Sequence, residues 1–163
     1  MKIHTLERTQ LVERPLEEVF AFFERPENLA VITPPSLGFV ILTPSPIRMQ
    51  TGTLIDYSVK ILGVRMHWTT MISEYQPPFR FVDIQLKGPY TFWYHTHTFK
   101  EVAGGTEVGD LVRYVLPMGP LGTMMHKTIV KRQLSEIFDF RAQVIEDKFR
   151  TTTPENASEK SNA

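Results

Sequence analysis

The amino-acid sequence predicts one α+β domain, in which a strongly curved antiparallel sheet wraps around a long C-terminal helix and leaves a ligand cavity between them. Apolar residues alternate with a period of two from about residue 38 to residue 116, which is typical of strands. A helically periodic stretch without internal proline follows at 121–150. Short hairpin connections imply antiparallel pairing, and such a sheet needs one face covered, for which the long helix is the simplest candidate.

The N-terminal segment predicts a strand followed by two short helices. Residues 2–13 have the strand pattern. Pro15 suits the first position of a helix over 16–23, whose first turn is acidic and whose apolar residues have helical spacing. Pro26 opens a second short helix, which is expected to stop before Pro34 because the residue before a proline disfavours helical geometry. The two helices are expected to plug one end of the sheet.

A meander of strands and the long helix complete the predicted order. Glycine and proline turns separate most of the strands. The long helix carries Leu134, Phe138 and Ile145 on one stripe, and Arg141 lies on the same stripe. The predicted strands span 38–43, 52–62, 64–75, 79–87, 90–101 and 106–116.

Composition excludes several classes of protein. The 163 residues include 18 basic and 18 acidic side chains, so no net charge favours nucleic acid or an anionic membrane as a partner. There is no cysteine, which excludes a disulfide framework and suits a cytoplasmic location. The N-terminal residues are charged and show no secretory signal, and no apolar run is long enough to span a bilayer.

We expect a single domain over 1–150 and a disordered polar tail over 151–163, where small and polar residues follow one another. Met118, Met124 and Met125 lie near glycine and proline residues at the start of the long helix. They either form a flexible entrance to the cavity or belong to a loop and a ragged helix start.

The hairpins predict which side chains face the concave side, because directly opposed residues share a face. A turn at Leu62-Gly63 opposes residue 61 with residue 64, which places Tyr57 and Trp68 on the inner face. A turn at Ala103-Gly104 opposes residue 99 with residue 108. That turn places side chains of the two strands on the same inner face, so that Trp93, His95, His97 and Phe99 lie beside Asp110 and Tyr114.

The strand at 79–87 has two possible orientations. A turn at Pro77-Pro78 that opposes residues 76 and 79 places Phe79, Phe81, Asp83 and Gln85 inside, and a three-residue loop at 88–90 keeps them there. A two-residue turn at Gly88-Pro89 would instead place the more apolar set inside, namely Val82, Ile84 and Leu86. We favour the first arrangement because it keeps all strands in one scheme, although a β-bulge would overturn it. Asp83 then opposes His95, Gln85 opposes Trp93, and His97 opposes Asp110.

Several stretches together resemble a known pattern: the residues from Phe81 to Tyr90, then Trp93, His95, His97 and Phe99, the stretch from Asp110 to Tyr114 with Pro117, and Ile137, Phe138 and Arg141. The pattern is similar to that of a bacterial branch of the SRPBCC (START/Bet v 1-like) superfamily, whose members are described as ligand-binding or polyketide cyclase/dehydrase-like. The resemblance covers about residues 2–149. It implies the helix-grip fold and a cavity for a hydrophobic or amphipathic small molecule, and it implies no particular reaction.

The Asp–His pairs admit two interpretations. They form a structural network that orients the polar end of a ligand, or they perform general acid/base chemistry, in which a carboxylate orients an imidazole and raises its basicity. Arg141 is expected to balance the carboxylates. The spacing of His95 and His97 would allow a metal ion, but no third histidine lies at a suitable position and His67 falls on the outer face, so we expect no metal. No cofactor motif or nucleophile elbow is present.

The leading hypothesis is therefore a module that binds a hydrophobic or amphipathic small molecule. The competing hypothesis is a cyclase or dehydratase that uses His95 or His97, with Asp83 or Asp110, as general acid and base. An interaction protein that forms a homodimer through a sheet edge is a third possibility. The predicted ligand-binding residues are Tyr57, Trp68, Phe81, Asp83, Gln85, Trp93, His95, His97, Phe99, Asp110, Tyr114, Phe138 and Arg141.

Overall fold

The computed structural model describes residues 2–61, 63–117 and 129–150. The described elements follow the order that the sequence predicts: a strand, a helical segment, a series of strands and a C-terminal helix. In chain order they are β1 (His4–Val12), α1 (Leu16–Phe23), two 3₁₀ helices (Pro26–Ala30 and Pro35–Leu37), β2 (Val40–Ile41), β3 (Leu54–Ile61), β4 (Val64–Gln76), β5 (Arg80–Lys87), β6 (Phe92–Val102), β7 (Gly105–Val115) and α2 (Lys131–Phe149).

The strands form one seven-stranded sheet in the order β1-β7-β6-β5-β4-β3-β2. Every neighbouring pair is antiparallel, and β1 returns to pair with β7 along its whole length, from His4 opposite Tyr114 to Val12 opposite Thr106. The sheet curves around α2. This arrangement confirms the predicted α+β fold, with its short helices after the first strand.

The two short helices differ from the prediction in their details. Pro15 is the residue before α1 and not its first helical residue, and Glu17 and Glu18 occupy the first turn, where they complement the helix dipole. The second helix is a 3₁₀ helix of five residues and not an α-helix. The side-chain amide of Asn28 in this segment donates a hydrogen bond of 2.7 Å to the backbone carbonyl of Phe22. This bond ties the segment to the end of α1.

Helix α2 covers the concave face of the sheet. Its buried side chains are Leu134, Phe138, Arg141, Ile145 and Phe149, which recur every three or four residues along one stripe. None of the helices in the described ranges is long and apolar enough to cross a bilayer. The predicted start of this helix at residue 121, the methionine-rich entrance and the polar tail at 151–163 lie outside the described residues.

The core consists of two clusters of apolar side chains. One joins α1 to the C-terminal half of α2 and includes Phe20, Phe23 and Phe81. The other lies against the N-terminal half of α2 and includes Trp68 and Trp93. Residues of both clusters line the cavity described below, so the packing of the core also shapes the site.

Two of the predicted hairpin registers are confirmed. Tyr57 lies opposite Trp68, as a turn after residue 61 requires, and Phe99 lies opposite Val108. In the hairpin between β5 and β6, Asp83 lies opposite His95 as predicted, and Phe81 lies opposite His97.

The hairpin between β4 and β5 corrects the sequence prediction. Gln76 lies opposite Arg80 and not Phe79, so Phe79 belongs to the turn and is exposed. An irregularity between Ile72 and Glu74 then shifts the register by one residue, and Ile72 lies opposite Asp83 as predicted. The bulge therefore cancels the error in the turn, and Asp83 faces the concave side.

Candidate functional site

A cavity lies between the sheet, α1, the first 3₁₀ helix and α2. Its volume, measured as the space open to the centre of a water molecule, is about 120 Å³. A single water molecule needs about 10–15 Å³ by the same measure. The cavity is therefore large enough for part of an organic molecule. Its wall is mainly apolar and aromatic, with charged groups in one region. The lining residues are Phe22, Phe23, Arg25, Pro26, Asn28, Leu29, Ile32, Met49, Ile55, Tyr57, Trp68, Thr70, Ile72, Phe81, Asp83, Trp93, His95, His97 and Arg141.

Most of the residues predicted to bind a ligand lie in this wall. The structure brings together Tyr57, Trp68, Phe81, Asp83, Trp93, His95, His97 and Arg141. The remaining predicted residues do not line it. Phe99, Tyr114 and Phe138 are packed in the core, and Asp110 lies behind the histidines.

Gln85 has a structural task at the end of β5. Its side-chain amide donates a hydrogen bond of 2.6 Å to the carbonyl of Tyr90 and accepts one of 3.2 Å from the Tyr90 amide. These two bonds hold the loop between β5 and β6. Gln85 lies outside the cavity wall, and it plays no part in the site proposed below.

Residues 22–32 and Met49 contribute a part of the cavity wall that the sequence did not predict. Arg25 is exposed and Asn28 and Leu29 are partly buried, so this side of the wall forms the mouth of the cavity. The sequence predicts only that the short helices plug one end of the sheet. Ile55, Thr70 and Ile72 also line the cavity, and they alternate along β3 and β4 on the same face as Tyr57 and Trp68.

Asp83, His95, His97 and Asp110 form a closed polar cluster. The imidazole rings of His95 and His97, two residues apart on β6, lie with their centroids 3.7 Å from each other. The shortest contacts run diagonally and not between directly opposed residues: His95 Nε2 lies 2.7 Å from Asp110 Oδ1, and His97 Nε2 lies 2.8 Å from Asp83 Oδ2. The side chains of both histidines are about one-twentieth exposed, so this cluster is almost entirely withdrawn from solvent.

Each histidine also approaches the carboxylate of the directly opposed strand residue. His95 Nδ1 lies 3.4 Å from Asp83 Oδ2, and His97 Nδ1 lies 3.2 Å from Asp110 Oδ1. The second contact lacks hydrogen-bond geometry, and His97 Nδ1 has no hydrogen-bond partner among the described residues. Each carboxylate therefore faces both imidazoles.

Arg141 brings a positive charge from α2 to the far side of the cluster. Its Nη1 lies 3.5 Å from Asp110 Oδ1, and its guanidinium carbon lies 4.7 Å from the centre of the Phe138 ring. With both aspartates ionised and both histidines neutral, the cluster would carry one net negative charge. One protonated histidine balances it.

The electrostatic environment shifts the pKa values of the two histidines in opposite directions. Burial, and then the neighbouring His97, lower the pKa of His95 despite the attraction of both carboxylates. Burial also acts to lower the pKa of His97, but Asp110 and Asp83 outweigh it, and the pKa of His97 rises above the ordinary value. The pKa values of Asp83 and Asp110 are both lowered, because the histidines and Arg141 outweigh the cost of burying a carboxylate.

The outer face of the sheet carries a third Asp–His pair. His67 is exposed, as the sequence analysis expected, and its Nε2 lies 3.0 Å from Asp56 Oδ1. This pair has the same chemical groups as the buried cluster but no contact with the cavity. It therefore offers a matched control for experiments on the site.

Comparison with solved structures identifies the fold. Protein CV1439 from Chromobacterium violaceum matches with a TM-score of 0.69 and 14% identity, over 91% of this chain and 99% of that chain. The di-domain ARO/CYC BexL from the BE-7585A biosynthetic pathway matches with a TM-score of 0.69 and 17% identity over 91% of this chain, which spans 50% of BexL. Ara h 8.0201 matches with a TM-score of 0.58 and 14% identity, over 90% of this chain and 99% of that chain. No protein-family model and no curated protein matches this sequence.

Proposed function

We propose that this chain, which has the helix-grip fold of the Bet v 1-like superfamily, binds a hydrophobic or amphipathic small molecule in its cavity. One observation carries the proposal: a mainly apolar cavity is bounded in one region by a buried cluster of charged side chains. Ligand cavities in proteins combine an apolar wall with a few polar groups that fix orientation. The body of the ligand would lie among the aromatic residues, and its polar group would face Asp83, His95 and His97.

The position of the tryptophans allows ligand binding to be measured directly by fluorescence. The chain has two tryptophans, Trp68 and Trp93, and both line the cavity. An apolar fluorescent probe that enters the cavity is expected to quench the intrinsic emission in a saturable way. Mass spectrometry of small molecules that co-purify with the protein would then identify the chemical class of the natural ligand.

A bulky side chain inside the cavity tests whether the probe binds there. Thr70→Phe places a ring in the cavity wall and is expected to weaken probe binding by about tenfold or more, because the ring occupies the ligand's space. Met71→Phe is the matched control, since residue 71 points to the opposite face of β4. Equal probe affinity in the wild type and Thr70→Phe would contradict the proposal.

A second candidate function is general acid/base catalysis of the cyclase or dehydratase type. It is favoured by the two imidazoles that lie in the cavity wall, each hydrogen-bonded to a carboxylate. His95→Gln and His97→Gln distinguish the two functions once a ligand is known. A catalyst would lose turnover by orders of magnitude and still bind the ligand, whereas a binding module would show no turnover and a modest loss of affinity.

A further inference from the structure

We infer that Asp83, His95 and His97 form a binding site for a divalent transition-metal ion of the zinc type, with a coordination position open to the cavity. One nitrogen from each histidine and one carboxylate oxygen all lie within 4.8 Å of one another. This inference goes beyond the proposed binding of a small molecule and does not depend on it.

Each of the two imidazoles presents one nitrogen to Asp83. His95 Nδ1 and His97 Nε2 lie 3.4 Å and 2.8 Å from the same atom, Asp83 Oδ2. At bond lengths of about 2.0–2.1 Å, two ligand atoms of a tetrahedral ion lie about 3.3 Å apart. The observed separations are close to this value, so an ion could lie between these atoms after a small widening at His97, where it would replace the proton of the hydrogen bond to Asp83.

The other nitrogen of each ring lies near Asp110. His95 Nε2 and His97 Nδ1 lie 2.7 Å and 3.2 Å from the same atom, Asp110 Oδ1. Histidines that bind a metal through one nitrogen usually donate the other N–H to a carboxylate or carbonyl, which fixes the tautomer and the orientation of the ring. Asp110 is placed to do this for His95, whose Nε2 is hydrogen-bonded to it, whereas the His97 ring would have to rotate slightly for its Nδ1 contact to gain hydrogen-bond geometry. Arg141 in turn approaches Asp110 at 3.5 Å.

The three candidate ligands favour particular metal ions. Two imidazoles and one carboxylate suit zinc and similar divalent ions, whereas magnesium and calcium prefer oxygen ligands. Three protein ligands leave a fourth position of a tetrahedral ion free for water or for an oxygen atom of a ligand. The Asp83 side chain is 16% exposed and lines the cavity, so the free position would open into the cavity.

The charges of the cluster support a cation. Asp83 and Asp110 contribute two negative charges, and the nearby Arg141 contributes one positive charge. A divalent ion with neutral histidines would give the site one net positive charge. The site would then attract a ligand with an acidic oxygen, such as a carboxylate, or hold a hydroxide.

Metal titration of the full chain tests the inference. Chelator-treated protein is titrated with Zn²⁺ by calorimetry and with Co²⁺ by visible absorption, which reports the coordination geometry. We expect one ion per chain, a Co²⁺ spectrum typical of four coordination, and a rise in melting temperature with Zn²⁺. Asp83→Asn is expected to weaken Zn²⁺ binding by about 100-fold, and Asp110→Asn by about 10- to 100-fold.

His67→Gln is the control, because His67 forms an exposed pair with Asp56 outside the cavity. It should leave the affinity unchanged. Absence of stoichiometric binding to the wild-type chain would overturn the inference, and so would unchanged affinity in both Asp83→Asn and His97→Gln. The tryptophan-quenching assay, run on the same metal-free protein, separates the two proposals, since a probe that binds while metal does not would leave the small-molecule site intact.

Discussion

Arg141 on α2 and Asp110 on β7 form a buried ion pair, with Nη1 and Oδ1 separated by 3.5 Å and about one-tenth of each side chain exposed. This contact ties the covering helix to β7, next to the edge strand β1. The cost of removing charges from water makes such a pair a weak source of net stability, but removal of one partner leaves the other charge buried and unpaired.

We therefore expect Arg141→Met to lower the free energy of unfolding of metal-free protein by about 3–5 kcal/mol, as measured by urea denaturation. Arg132→Met is the control, because Arg132 forms an exposed ion pair with Glu136 on the same helix, and its loss should leave the free energy of unfolding nearly unchanged. The double variant Arg141→Met/Asp110→Asn should cost less than the sum of the single changes. Strict additivity would show that the pair does not act as a unit.

The loop between β5 and β6 depends on the side chain of Gln85. Gln85→Ala would leave the buried backbone groups of Tyr90 without their two partners, so we expect a loss of about 1–3 kcal/mol in the free energy of unfolding. Gln76→Ala, at the exposed end of β4, should change the free energy of unfolding by less than about 0.5 kcal/mol. Equal effects of the two substitutions in urea denaturation would contradict this role of Gln85.

The fold could be predicted because the strands and turns carry local signals. The hairpin at Gly63 and the hairpin at Ala103-Gly104 have short turns, and a short turn fixes the register of every residue pair in its hairpin. The bulge between Ile72 and Glu74 has no such signal, since an extra residue does not interrupt the alternation in a recognisable way. Phe79 was wrongly placed inside because the turn is one residue longer than predicted, and Asp83 was placed correctly because the bulge offsets that difference.

The site could be predicted only where strand pairing defines it. His95, His97, Asp83 and Asp110 lie on neighbouring strands, and their proximity follows from register alone. The diagonal choice of hydrogen-bond partners depends on side-chain rotamers, which register does not specify. The mouth of the cavity depends on how residues 22–32 pack on the sheet, and no pairing rule links a helix to a particular strand residue. The sequence predicts no metal because it lacks a third histidine at a suitable position, and the carboxylate that could complete a site with the two histidines is Asp83, which the structure places near both.

The hydrogen bond from Tyr75 to Glu24 predicts a change in stability at high pH. The Tyr75 hydroxyl donates to Glu24 Oε2 at 2.7 Å, and burial, followed by Glu24, raises the pKa of Tyr75 from 10.0 to about 12. The folded state favours the neutral phenol, so its contribution to stability is complete below pH 10 and is lost as the pH rises from 10 to about 12. Tyr75→Phe should be less stable than the wild type at pH 8, and the two urea-denaturation curves should converge near pH 12. A constant difference between them over this range would contradict the assignment.

Gly109 on β7 lies opposite Thr98 on β6, in a space that admits no side chain. A Cβ atom at residue 109 would lie 2.5 Å from Thr98 Oγ1 and 3.9 Å from Thr98 Cβ. Threonine has few rotamers through which it can move away. We therefore expect Gly109→Ala to lower the free energy of unfolding by about 1–3 kcal/mol in the wild-type background.

The same substitution should be nearly neutral in a Thr98→Ala background, because only the more distant Cβ atom remains. Thr96→Ala, two residues earlier on the same face of β6, should give no such rescue. A double-mutant cycle in urea measures the coupling directly. An equal cost of Gly109→Ala in the Thr98→Ala and Thr96→Ala backgrounds would show that the contact with Thr98 does not explain the glycine, and that its cost arises from the backbone of the strand.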